Sequence, residues 1–162
     1  MKKLLFLLGI ICFTPTVSLA EDKVYKDTSY LILYNFSWDT VIHIARTARK
    51  KFVGAKLSTG EIIEKETPAQ LAKPIVNFET VSIMVDVGAL SVTAEWCGLD
   101  WQNNYLLSMQ GLRATKLFTE SQMAYFGLVH GVTMSYVGDE LNENKCSEER
   151  KEQIRKILNG NK

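Results

Sequence analysis

The chain has 162 residues, 46% hydrophobic, 23% charged and 10% aromatic, with 3 Pro, 3 Cys and a formal charge of +1. That profile excludes a disordered chain, a collagen-like repeat and a dense disulfide scaffold. It also excludes a strongly basic nucleic-acid binder, and the length fits one domain with a modest core.

Residues 1–20 have the three parts of a secretory signal. Lys2 and Lys3 give a short positive start, and residues 4–13 (LLFLLGIICF) form an apolar run too short to span a bilayer. Ser18-Leu19-Ala20 then offers small residues before the polar Glu21-Asp22-Lys23. The expectation is an exported protein, periplasmic or secreted, cleaved near Ala20-Glu21. Cleavage leaves 17 Lys+Arg against 18 Asp+Glu, so net charge points to no polyanionic or polycationic partner.

Cleavage also removes Cys12. Cys97 and Cys146 remain, and two cysteines in an oxidising compartment most simply form one disulfide. The loop closed would span 49 residues, which on a chain-entropy argument stabilises the fold by about 4 kcal/mol. His43 and His130 are the only histidines, and neither CxxC nor HxxxH spacing occurs. Neither a metal nor another cofactor is expected.

In chain order, residues 30–36 (YLILYNF) fit either a helix or a short strand. Over 38–51 the recurrence of Val41, Ile44, Ala45 and Ala48 predicts a helix, with Ser37 as N-cap. Arg46, Arg49, Lys50 and Lys51 crowd its C-terminal end, where cations complement the helix dipole. A headgroup-binding patch is the alternative there, and membrane-surface contact is not expected. Residues 54–74 read as a connector, with a turn at Ser58-Thr59-Gly60 and a short helical turn over 68–72, opened by Thr67-Pro68.

A central helix is predicted over 77–97, capped by Asn77 and ended by Gly98. Val81, Met84, Val85, Gly88, Val92 and Glu95 fall on one side of it. Asp100 caps a third helix over 101–112. The capping box from Thr119 to Gln122 opens a fourth, expected to run to 137 and to break at Gly138-Asp139. Ser147 opens a last amphipathic helix with Ile154, Ile157 and Leu158 inward. Six charges occur over 81–138 and twelve over 139–162. The core helices therefore belong to 77–138, and 139–162 form a charged loop and C-terminal helix. The fold class is all-α: a single helical domain over 21–162, of about five helices stapled by one disulfide.

Ala124, Gly127, Gly131 and Ser135 are spaced 3, 4 and 4 apart. This small-residue stripe, with Gly88 and Ala89 opposite, predicts a close helix crossing with backbones in contact. Ser121, Gln122, His130, Thr133 and Ser135 make the segment too polar and rather short for a membrane span, and a buried central helix is expected instead.

The residues that could carry chemistry or binding are Glu95, Trp96, Trp101, Arg113, Gln122, Tyr125 and His130. A Cys97–His130 dyad is the sharpest enzymatic possibility. Against it, the cysteine is expected in a disulfide and the histidine in the core. No nucleophile elbow, phosphate loop or paired-acid signature is present. Glu95 either faces solvent or pairs with Arg113. Trp96 and Trp101 bracket the turn over 97–100, where they either close a core or rim an apolar groove.

The segments YFGLVHGV (125–132) and CSEERKEQIRKIL (146–158) resemble the C-terminal half of two groups of small helical two-cysteine exported proteins. These are the HdeA-type acid-stress periplasmic chaperones and the Rap/Tai secretion-immunity family. The immunity family has a cysteine ahead of its helix motif, where this chain has Met123 and Ala124. The stretch AEWCGLDW (94–101) resembles an exported bacterial family that implies no function. The expected function is that of an exported, non-enzymatic binding or interaction protein, with another protein as partner and the oligomeric state open. The alternatives are an acid-stress chaperone, a secretion-immunity protein and a small enzyme using His130 or Glu95.

Overall fold

Helices begin where a side chain can satisfy backbone N–H groups that no preceding turn can reach. Ser37 accepts from the Thr40 amide, Asn77 from Thr80 and Ser147 from Arg150. Asp100 accepts from the amides of Gln102 and Asn103. Thr67 with Gln70, and Thr119 with Gln122, close reciprocal capping boxes. The computed structural model describes residues 34–141 and 145–160. Among them these starts open α1 (Trp38–Phe52), α2 (Pro68–Leu71), α3 (Phe78–Trp96), α4 (Gln102–Thr115), α5 (Glu120–Leu141) and α6 (Glu148–Leu158).

The architecture is all-α, with five longer helices and the one-turn α2. Residues 1–20 and 30–33, on which the signal and part of the strand-or-helix alternative fall, lie outside the described residues. Tyr34 to Phe36 form no strand; the one β pairing among the described residues is the isolated bridge of Lys56 with Ile62.

Because α3 carries so few charges, it can be buried around most of its circumference, and it forms the central post. One side packs on α1 and α5, where Ile44, Val81, Met84, Val85, Phe126 and Val129 make the main core. Further along, Ala89 and Val92 meet Val137, with Tyr34 and Phe36 packed on them. On another side, Leu90 and Ala94 receive Ile154 of α6, with Leu99, Trp101, Ile157 and Leu158 around them.

At 11 residues α6 is too short to be stable alone. Burying Ile154 contributes on the order of 2–3 kcal/mol. The Cys97–Cys146 disulfide, with Cα atoms 5.1 Å apart, fixes the start of α6 to the end of α3.

Two expectations are corrected. Gly138-Asp139 does not break α5, which continues to Leu141. Gly138 instead lets Val92 approach, since a Cβ there would lie 3.3 Å from Val92 Cγ2, and Val137 and Leu141 anchor the extra turn on the second core cluster. The second correction concerns the small-residue stripe. Gly131 and Ser135 are exposed, and a Cβ on Gly131 would meet nothing within 4 Å. Gly127 faces the Tyr105 hydroxyl, and Ala124 is half-buried.

The close crossing of α3 and α5 exists, but it uses a different face of α5. A Cβ on Gly88 would sit 2.7 Å from Thr133 Cβ and 3.0 Å from the His130 carbonyl oxygen. The Thr133 hydroxyl is turned back onto its own helix, donating to the Val129 carbonyl at 2.8 Å, which leaves its carbon side against Gly88.

Candidate functional site

The side chains singled out from the sequence fall in three separate places. The first surrounds His130. The α5–α3 seam brings His130 Nε2 to 2.9 Å from the Ser91 hydroxyl. Trp101 and Tyr105 cover the imidazole, with ring centroids at 5.7 Å and 4.2 Å. Burial pushes the imidazole down to about 4, so it is neutral near pH 7. Burial likewise raises the Tyr105 phenol, against the opposing pull of Arg113. Ser91 is 0% and His130 4% exposed, so a substrate has no approach to the pair. Cys97 is bonded to Cys146 and offers no thiolate to a Cys97–His130 dyad. The arrangement locks α4 onto the core through Tyr105.

The second place lies where α5 meets α1 and the connector. Tyr125 donates to the Ala45 carbonyl at 3.0 Å and packs edge-on against Phe52, and burial pushes its phenol up to about 12. Gln122 uses both ends of its amide: Oε1 accepts from the Thr119 amide, and Nε2 donates to the Ile75 carbonyl at 3.0 Å.

Arg49 completes this set. Its guanidinium grips Glu66 through two parallel hydrogen bonds of 2.8 Å and 2.6 Å, and donates to the Gln70 and Lys73 carbonyls. That hydrogen bonding holds Glu66 below the usual carboxylate range and raises Arg49 in turn. Between α1 and the pinned connector lies a cleft of about 240 Å³, walled by Arg46, Leu71, Lys73 and Phe78 with Val81 and Tyr125 behind.

The third place is a cleft of about 370 Å³ near the C-terminal ends of α3 and α5, where Glu95 and Trp96 meet Met134, Ser135, Asp139 and Leu141. Glu95 is exposed there, to the side of the buried α3 surface expected to carry it. Arg113 is not its partner: it lies 3.9 Å from Glu120, with both side chains about half exposed. Such a pair contributes little. Among the described residues no group of three His, Cys, Asp or Glu could hold a metal ion.

α4 presents a surface that, of the nominated residues, only Arg113 borders. It contributes no buried residue; Tyr105, Ser108, Met109 and Leu112 face inward but remain half-buried. Its outward row is Asn103, Leu106, Leu107, Gln110, Gly111 and Ala114, all exposed and none charged. Leu106 is 53% and Leu107 59% exposed. The signal was available in the sequence: adjacent leucines lie about 100° apart on a helix, so the face of Tyr105, Met109 and Leu112 cannot shelter both. The ion pair of Arg49 with Glu66 was hidden, because Glu66 lies 17 positions away on the connector.

No family model matches the chain, nor does any curated protein or solved structure.

Proposed function

We propose that the protein is exported, loses residues 1–20, and acts as a non-enzymatic interaction module that docks another protein on the outer face of α4. The observation that carries this reading is the pair Leu106 and Leu107, both more than half exposed in the middle of a charge-free helical row. Isolated exposed leucines are ordinary, but two adjacent ones between the uncharged amides Asn103 and Gln110 make a small apolar patch with a polar rim, the pattern that interfaces bury. A partner with an uncharged apolar helix or loop complements it. Tyr105, stacked on His130, supports this by holding α4 in place before a partner arrives, which lowers the ordering cost of docking. The disulfide supports export, because such a bond persists in an oxidising compartment.

The test places a photo-crosslinking residue at Gln110 in the full-length protein expressed in its host. A discrete adduct is expected, and the double change Leu106→Asp/Leu107→Asp should abolish it while leaving the thermal melt within about 0.5 kcal/mol of wild type. An adduct that survives the double change would refute the docking face. N-terminal sequencing of the envelope fraction should begin at Glu21; an intact Met1 would refute cleavage.

A further inference from the structure

We propose that the cleft between the C-terminal half of α1 and the 71–78 segment binds a small amphiphilic carboxylate, a short acyl chain or single ring bearing one anionic head. Three features of the cleft point to that chemistry.

The first is that the cleft is held open. The connector is pinned at three carbonyls, Gln70 and Lys73 by Arg49 and Ile75 by Gln122, and α2 is closed by its own capping box. Arg49 belongs to α1 and Gln122 to α5, so these bonds fix where the connector sits against both helices, and the cleft between them is present without a ligand.

The second is that its surface is divided by polarity. Ala45, Ile75, Val76 and Val81 make an apolar interior, while Leu71 and Phe78 stay 53% and 40% exposed at the mouth. The Tyr125 hydroxyl, the obvious polar atom inside, is spent on the Ala45 carbonyl. A ligand's apolar body therefore finds an apolar lining, with no hydrogen-bonding demand deep within.

The third is charge. Arg46, Arg49 and Lys73 line the cleft and no carboxylate does. Arg49 is matched by Glu66, but Arg46 and Lys73 are exposed and form no ion pair among the described residues. Two uncompensated cations at the rim of an apolar slot select an anion with an apolar tail over a neutral or cationic one. At about 240 Å³ the space falls below the range of drug-sized pockets, which limits the tail to a short chain or one ring.

Titrating octanoate into the isotopically labelled mature protein, followed by backbone amide NMR, tests this. Shifts are expected at Arg46, Phe78, Val81 and Tyr125, and not along α4. Octanamide and octylammonium should bind at least about tenfold more weakly, and Arg46→Gln/Lys73→Gln should weaken octanoate by about tenfold with an unchanged melt. Equal binding of octanoate and octanamide, unaltered binding by the double variant, shifts centred elsewhere, or no shifts below the micellar range would each overturn the proposal. A peptide ending in phenylalanine that shifts these amides where octanoate does not would overturn it as well, by assigning the cleft to a chain terminus.

Discussion

The two sides of α5 both carry small residues, and they behave in opposite ways. Toward α3, Thr133 and the His130 carbonyl press so close to Gly88 that a single methyl there would overlap them. Away from α3, Gly131 and Ser135 stand open. What separates the two is the opposite surface. Gly88 lies within a helix that is almost free of charge and buried nearly all round, so a second backbone can reach it. A small residue marks a contact only where another element arrives to use the space.

The contrast can be broken most forcefully at Gly88. Gly88→Leu should cost at least about 3 kcal/mol, because Thr133 is β-branched and cannot swing aside, and overpacking outweighs the gain of about 1 kcal/mol in helix propensity. Chemical denaturation measures it; a variant as stable as wild type would place Gly88 outside the seam.

Next in size is the staple. Replacing both Cys97 and Cys146 with Ser should cost about 2–4 kcal/mol. Hydrogen exchange should show α6 losing protection before α3 or α5. Uniform loss of protection would mean that α6 does not depend on the bridge.

Stability also carries two opposed pH-dependent contributions, one from His130 in the seam and one from Asp86 elsewhere on α3. His130 is held neutral in the fold at a value of about 4, below the ordinary 6.5 of the unfolded chain. Its contribution is thus complete above pH 6.5 and is lost as pH falls toward 4, on the order of 2–3 kcal/mol by pH 4.5. Asp86, half-buried on α3, is pushed up to about 6 by burial. It takes up a proton in the fold before the unfolded chain does, so over the same window acidification favours the fold. Wild-type stability should therefore change little between pH 6.5 and 4.5. Asp86→Asn should reveal a steep acid loss, and His130→Gln should make the protein more stable at pH 4.5 than at 6.5. Parallel profiles for all three proteins would remove both groups from the account.

The smallest effect sharpens the outer side. Gly131→Leu should stabilise by up to about 1 kcal/mol, since helix propensity improves and no neighbour is displaced. A loss of stability would show that something packs on that face.

Much of the fold was legible because its signals are local. Ser37, Asn77, Asp100, Thr119 with Gln122, and Ser147 each act on amides within three residues of themselves, so the sequence alone locates the helix starts. The disulfide was legible by counting, since removing residues 1–20 leaves only two cysteines. The rest depends on partners distant in the chain. Gly138 looks like a stop until Val92 is seen against it, and the stripe from Ala124 to Ser135 looks like a seam until α3 is seen on the other side. The nominated residues lie in separate places rather than one, since linear sequence does not show which side chains the packing brings together. His130 and Tyr125 are the attachment points of α4 and α1, and the exposed Leu106 and Leu107 lie in a helix from which no leucine was singled out.

Thiol accessibility tests the two-sided account most directly. Single cysteines placed at Thr133, Gly131 and Leu107 of the folded, disulfide-bonded protein should be alkylated at very different rates. Thr133→Cys should react only as fast as the protein unfolds, whereas Gly131→Cys and Leu107→Cys should react like a free thiol in solution. Protection at Gly131, or rapid labelling at Thr133, would contradict it.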